Sequence, residues 1–248
     1  MRPTSPREEV GHIRVSDGTR LVYTRRPTGS RRVILVCPGI LLHRDCHEHR
    51  LLRDSLAPVA DVVTLDIRGH GDSGGLFSWG RKEPDDVAAV ARALRDQYDR
   101  VAALGFSFGG FHVTVAAARD RPFDAAAIVG TPHRLLFLDH NFLTRGLLRS
   151  LPWALRRKRR LARLAPWYLG GRPVPSRLVE QVAPTPLLIA HGSDDWLIPP
   201  KHATTLFERA REPKELLLIE RGLHAEYMLV DEPAPLVEGL LAFYQNRL

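Results

Sequence analysis

A serine set between glycines, in Gly105-Phe106-Ser107-Phe108-Gly109-Gly110, is the most chemically informative stretch of this 248-residue chain. It closes a strand-like run, Arg100-Val101-Ala102-Ala103-Leu104, and opens a helix-like run of small residues from Gly109 to Ala118. Gly-x-Ser-x-Gly at a strand-to-helix junction predicts a nucleophile elbow, a turn so sharp that the serine backbone is strained. Gly105 and Gly109 are needed there because a Cβ at either place collides with the neighbouring strand or helix. The turn holds the Ser107 hydroxyl in the open, and the helix start favours negative charge beside it. A serine in a glycine-rich turn is equally compatible with a structural role, so the rest of the chain decides.

A serine hydroxyl is a poor nucleophile until a base takes its proton, and histidine suits that task near neutral pH. The base needs a carboxylate to fix its tautomer and stabilise the imidazolium. Downstream of Ser107 the chain supplies both. Asp194 and Asp195 follow the strand-like Leu187 to Ala190, and His224 follows the strand-like Glu215 to Ile219. Adjacent aspartates point to different sides, so only one of them serves.

The elements that must position these residues alternate along the chain. Ile13 to Val15 and Leu21 to Thr24, joined by Asp17-Gly18, read as an N-terminal hairpin. Arg32 to Cys37 is a continuous apolar run, as expected of a strand buried on both faces of a parallel sheet. Similar runs follow at Val62 to Ile67, Val101 to Phe106, Ala125 to Val129, Leu187 to Ala190 and Glu215 to Ile219. Helical patterns fall at His49 to Leu56, Pro84 to Gln97, Gly109 to Arg119, Lys201 to Arg211 and Pro233 to Arg247. The expectation is an α/β fold: a mostly parallel central β-sheet with helices on both faces and ligands at the carboxyl ends of the strands.

One stretch breaks the alternation. From Pro132 to Thr185 there is no convincing strand, and helical pieces carry Phe137, Leu147, Leu151, Trp153, Leu161 and Trp167. This divides the chain into a first core part at 1–131, a helical cap insertion at 132–185 and a second core part at 186–248. Between His140 and Val179 lie ten Arg or Lys residues and no Asp or Glu, densest at Arg156-Arg157-Lys158-Arg159-Arg160. Such a run is commonly a solvated helix face. With Trp153 and Trp167 nearby it also suits an anionic amphiphile or membrane surface.

Taken together, the chain resembles the α/β-hydrolase family over nearly its whole length. Leu65-Asp66-Ile67-Arg68-Gly69-His70-Gly71-Asp72-Ser73 looks like that family's strand-end signature. Cys37-Pro38-Gly39-Ile40 sits where members carry His-Gly followed by an oxyanion-hole residue, with Pro38 replacing the histidine. Gly192 followed by Asp195 and Pro199 matches a further motif and favours Asp195 over Asp194 as the acid. Gly222-Leu223-His224 matches the loop that presents the histidine. The resemblance implies the order Ser107, Asp195, His224 for the triad. It also implies an oxyanion hole from the backbone N–H groups of Phe108 and Ile40, with Leu41 as the fallback if the loop is shifted. A serine at the elbow excludes haloalkane dehalogenases and epoxide hydrolases, which need an aspartate.

Other readings are weighed against this one. His43, Cys46, His47 and His49 crowd one loop, but their spacing matches no zinc signature, so no metal and no cofactor are expected. His70 and His191 read as structural. The formal charge of +8 raises nucleic acid as a partner, yet no nucleic-acid module is recognisable. Cys37 and Cys46 cannot make a disulfide framework, the N-terminus has no apolar h-region, and no stretch approaches the ~20 apolar residues of a membrane span. A soluble, cytoplasmic protein is the expectation. The function expected is cleavage of a carboxylic ester by a serine hydrolase through an acyl-enzyme. The alternatives are an acyl thioesterase or acyltransferase with the same triad, or a non-catalytic fold member docking on anionic surfaces.

Overall fold

A computed structural model describes residues 8–134, 162–166 and 171–248. Strands β1 (Glu9–Arg14), β2 (Arg20–Arg26), β3 (Arg32–Cys37), β4 (Asp61–Leu65), β5 (Arg100–Phe106), β6 (Ala125–Val129), β7 (Leu187–Gly192) and β8 (Lys214–Ile219) form one eight-stranded sheet. Their order is β1-β2-β4-β3-β5-β6-β7-β8. The hairpin β1–β2 joins β4 antiparallel, and all pairings from β4 to β8 are parallel. Longer helices are α1 (His47–Leu56), α2 (Glu83–Arg95), α3 (Phe108–Asp120), α4 (Lys201–Arg209) and α5 (Pro233–Gln245).

The period-two alternation of strand side chains assigns the helices to faces. Val33, Leu35 and Cys37 of β3, with Val101 and Ala103 of β5, pack with Val87, Ala91 and Leu94 of α2, with α3, and with Leu206 of α4. Ile34 and Val36, with Ala102, Leu104 and Phe106, pack against Leu52 and Leu56 of α1 and Leu236, Leu240 and Phe243 of α5. The central strands are buried on both faces, which is why they read as unbroken apolar runs.

Two boundaries differ from the sequence expectation for identifiable reasons. The hairpin is longer, pairing Glu9 with Arg25 through Arg14 with Arg20, because its polar residues face outward on a sheet edge. Strand β4 stops at Leu65 rather than Ile67. The Asp66 carboxylate there accepts the N–H groups of Arg44 at 2.7 Å and Asp72 at 2.8 Å and pairs with the Arg44 guanidinium, turning the chain out of the ladder. Within 132–185 the described residues include two short helical turns, Pro175–Leu178 and Val179–Gln181. They also include a segment tied to the loop after β4: Phe77 donates to the Arg163 carbonyl at 2.8 Å, and Trp79 Nε1 donates to the Ala165 carbonyl at 2.7 Å.

The junction of β5 and α3 is tightly packed. Ser107 has φ 49° and ψ −115°, outside the regions L-residues favour. A Cβ on Gly105 would lie 2.5 Å from the Gly110 Cα, and one on Gly109 would overlap the Cys37 carbonyl. Gly105→Ala must therefore push α3 off the sheet. The expected cost is about 1–3 kcal/mol, the range for overpacking a close-packed interior. In urea the unfolding midpoint should fall at constant slope. A midpoint equal to wild type would show that α3 has room to move.

Candidate active site

The strand ends converge. Residues following β3, β5, β7 and β8 bring Gly39, Ser107, Asp195 and His224 together at the carboxyl edge of the sheet. His224 Nε2 lies 3.0 Å from Ser107 Oγ, and His224 Nδ1 lies 2.7 Å from Asp195 Oδ2. Since the carboxylate accepts, Nδ1 carries the proton and Nε2 turns its lone pair to the hydroxyl. The other oxygen, Asp195 Oδ1, accepts the N–H groups of Leu197 at 2.9 Å and Ile198 at 2.8 Å. All three side chains are buried. Asp194 faces away: it is exposed, and its Oδ1 accepts the Ser193 hydroxyl at 3.1 Å.

Burial pushes the Asp195 carboxyl up, but the charge of His224 and hydrogen bonds from His191 and His224 outweigh it. The group stays well below the usual carboxylate range. For His224, burial acts to lower the pKa, and the Asp195 carboxylate, aided by the charge of Glu226, raises it above the ordinary 6.5. The pair therefore keeps a negative charge beside an imidazole that accepts a proton readily.

Of the two expected oxyanion donors, Phe108 directly follows Ser107, and Ile40 follows Gly39, where a Cβ would stand 3.4 Å from the Ser107 Cβ. Phe108 opens the first turn of α3, where helix N–H groups point outward. The Ile40 N–H makes no hydrogen bond among the described residues, whereas the Leu41 N–H is donated to His70 Nε2 at 3.1 Å. That bond commits Leu41 elsewhere. His70 in turn donates from Nδ1 to the Arg68 carbonyl at 3.0 Å, so this histidine stitches two loops together. Ser73 is likewise occupied, donating to the Asp66 carbonyl at 2.6 Å and accepting from Val22 at 2.8 Å.

Sequence reasoning alone does not single out two buried neighbours of the site. His191 Nε2 sits 2.7 Å from the Ile198 carbonyl and 3.3 Å from Asp195 Oδ2, so it donates between them. Glu226 accepts the Gly39 N–H at 2.6 Å. An acid two residues after the loop histidine, in an otherwise apolar stretch, was the available signal. In the crowded loop, Cys46 and His49 are buried and His47 is exposed. Among the described residues no group of three or more His, Cys, Asp or Glu could hold a metal ion. No described helix is long and apolar enough to cross a membrane. The cations Arg156, Arg157, Lys158, Arg159 and Arg160, with Trp153 and Trp167, lie outside the described residues.

This sheet order and this convergence at the strand ends define an α/β hydrolase fold. A family model described as alpha/beta hydrolase fold matches residues 32–163, and the chain belongs to that family. It is similar to the protein YfhR of Salmonella typhimurium, 30% identical over 176 residues, covering 67% of this chain and 55% of that protein. The chain thus spans about half the length of the curated relatives it first matches. Among solved structures, the alpha/beta hydrolase GrgF from Penicillium superposes with a TM-score of 0.82 at 16% identity, covering 97% of this chain and 99% of the other. The Pyrococcus furiosus esterase Pf2001 superposes at 0.78 with 19% identity, covering 98% and 93%.

The Asp195–His224 contact has a direct spectroscopic consequence. Because the carboxylate favours the imidazolium, the His224 ring should titrate above 6.5 in an NMR pH series. Asp195→Asn removes that charge and should move the midpoint down, while Asp194→Asn should leave it in place. A midpoint that follows Asp194 instead would contradict the assigned pairing.

Proposed function

We propose that this protein is a serine hydrolase that cleaves a carboxylic ester through an acyl-enzyme. Ser107 is the nucleophile, His224 the general base and acid, and Asp195 the carboxylate that orients it. The observation that carries the reading is the unbroken relay Asp195–His224–Ser107, ending on a strained turn at the carboxyl edge of the sheet. Membership of the α/β hydrolase fold family supports it.

In this reading Ser107 Oγ attacks the ester carbonyl carbon as its proton passes to His224 Nε2. The carbonyl oxygen takes up the negative charge between the N–H groups of Phe108 and Ile40, and preorganised donors of this kind supply a large share of such rate enhancements. Collapse breaks the bond to the alkoxy group, which leaves as alcohol with the proton from His224. Water then repeats the sequence: His224 takes its proton, the hydroxide adds to the acyl carbon, and Ser107 leaves reprotonated with the carboxylic acid. Asp195 holds the ring in the required tautomer and offsets the imidazolium charge without itself taking the proton. The residues 132–185 are proposed to form a cap over this site. Its apolar side chains would meet the acyl chain, and its basic run Arg156 to Arg160 would draw an anionic substrate.

Esters of p-nitrophenol graded from acetate to laurate test the proposal. Ser107→Ala should reduce turnover to background. Asp195→Asn should cost on the order of 10⁴ in turnover, as a wrong-tautomer histidine does in serine proteases, and Asp194→Asn much less. Hydrolysis that survives Ser107→Ala would place the chemistry elsewhere.

A further inference from the structure

Beneath the oxyanion loop lies a second buried carboxylate, which the proposed mechanism leaves unused. Glu226 is 3% exposed and stands in the helical turn Ala225–Tyr227 directly after His224. Its Oε1 accepts the Gly39 N–H at 2.6 Å and lies 3.6 Å from His49 Nε2. His49 is fully buried, and its Nδ1 donates to the His43 carbonyl at 2.9 Å. A Cβ on Gly39 would stand 3.0 and 3.2 Å from the two Glu226 oxygens and 3.4 Å from the Ser107 Cβ. Gly39 is therefore wedged between this carboxylate and the nucleophile.

A buried carboxylate is strongly disfavoured unless a cation and hydrogen-bond donors meet it. His49 supplies the cation. Burial opposes its charge, but Cys46 and Glu226 outweigh burial and push its pKa up to about 9. Among the described residues, His49, with Cys46 behind it, and His224, with Asp195 behind it, are ionisable groups that bear on Glu226. Three segments meet at one carboxylate: the loop after β3, the start of α1 and the turn after His224.

We propose that Glu226, charge-paired with His49, is a positioning residue that fixes the Gly39–Ile40 peptide against Ser107 and lends His224 a second negative neighbour. The geometry explains the division of labour in the loop. Glu226 holds the Gly39 N–H, His70 holds the Leu41 N–H, and the Ile40 N–H between them is left for the oxyanion. The inference rests on the reading of Ser107 as a nucleophile, and it carries one electrostatic consequence independent of activity. The Glu226 charge raises the His224 pKa, so removing it must lower that pKa.

Two substitutions separate the roles. Glu226→Gln keeps the shape and an oxygen for Gly39 but loses the charge, and Glu226→Ala loses both. In Glu226→Gln the NMR midpoint of His224 should move to lower pH, with the acid limb of kcat/KM for p-nitrophenyl acetate moving the same way. In Glu226→Ala kcat should fall by up to about 10²-fold, toward the loss seen when one oxyanion donor is removed, with KM nearly unchanged. Glu226→Gln should recover much of that kcat. A His224 midpoint unmoved in Glu226→Gln overturns the inference, as does a folded Glu226→Ala protein with wild-type kcat. If wild type is inert on every ester while the midpoint shifts as stated, the hydrolase reading falls and the electrostatic coupling stands.

Discussion

The backbone of Ser107, at φ 49° and ψ −115°, is the constraint around which the surrounding structure is arranged. Such a conformation costs of order 1–3 kcal/mol and persists only where neighbours over-determine it. Here the Ser107 N–H is held by the Val129 carbonyl at 2.8 Å, while α3 presses so close that no Cβ fits at Gly105 against the Gly110 backbone or at Gly109 against the Cys37 carbonyl. The close approach demands glycine at Gly105 near the end of β5 and at Gly109 and Gly110 at the start of α3. It also places the end of β3 within reach of the serine, which brings in the loop carrying Gly39 and Ile40.

The loops around that turn are fixed by buried charges rather than by apolar contact. Arg44 is held by Asp66 and Asp72, and Arg68 forks onto Asp86 at 2.7 and 2.6 Å while also reaching Asp17 at 2.8 Å. Bidentate pairs of this kind fix direction as well as distance. They orient His70, which takes up the Leu41 N–H, and so govern which amide the loop after β3 leaves available. The same logic recurs beside the serine, where Asp195, His224, His191 and Glu226 form alternating acid and imidazole groups with little access to water. In so dry a setting each charge acts on its neighbours more strongly than it would in water.

Much of this was legible in the sequence because the relevant signals are local. The runs at Arg32–Cys37 and Ala125–Val129 match strands end for end, since every residue after Arg32 is apolar and buried on both faces. The glycines around Ser107 announce a close approach, and the order of serine, acid and histidine can be read directly. What could not be read is long-range pairing. Nothing local says that Glu226 reaches back to Gly39 or that Asp66 ends β4 by turning to Arg44. Each joins residues from different strand-end loops, whose proximity is created only by the sheet order.

The strained turn is proposed to present Ser107 as the nucleophile. The most direct test is to treat the protein with a fluorophosphonate and locate the adduct by peptide mass spectrometry. A single phosphonylated residue, Ser107, is expected, formed quickly in wild type and slowly when His224 is replaced by alanine. An adduct on Ser73 or Ser193, or none at any serine, would contradict it.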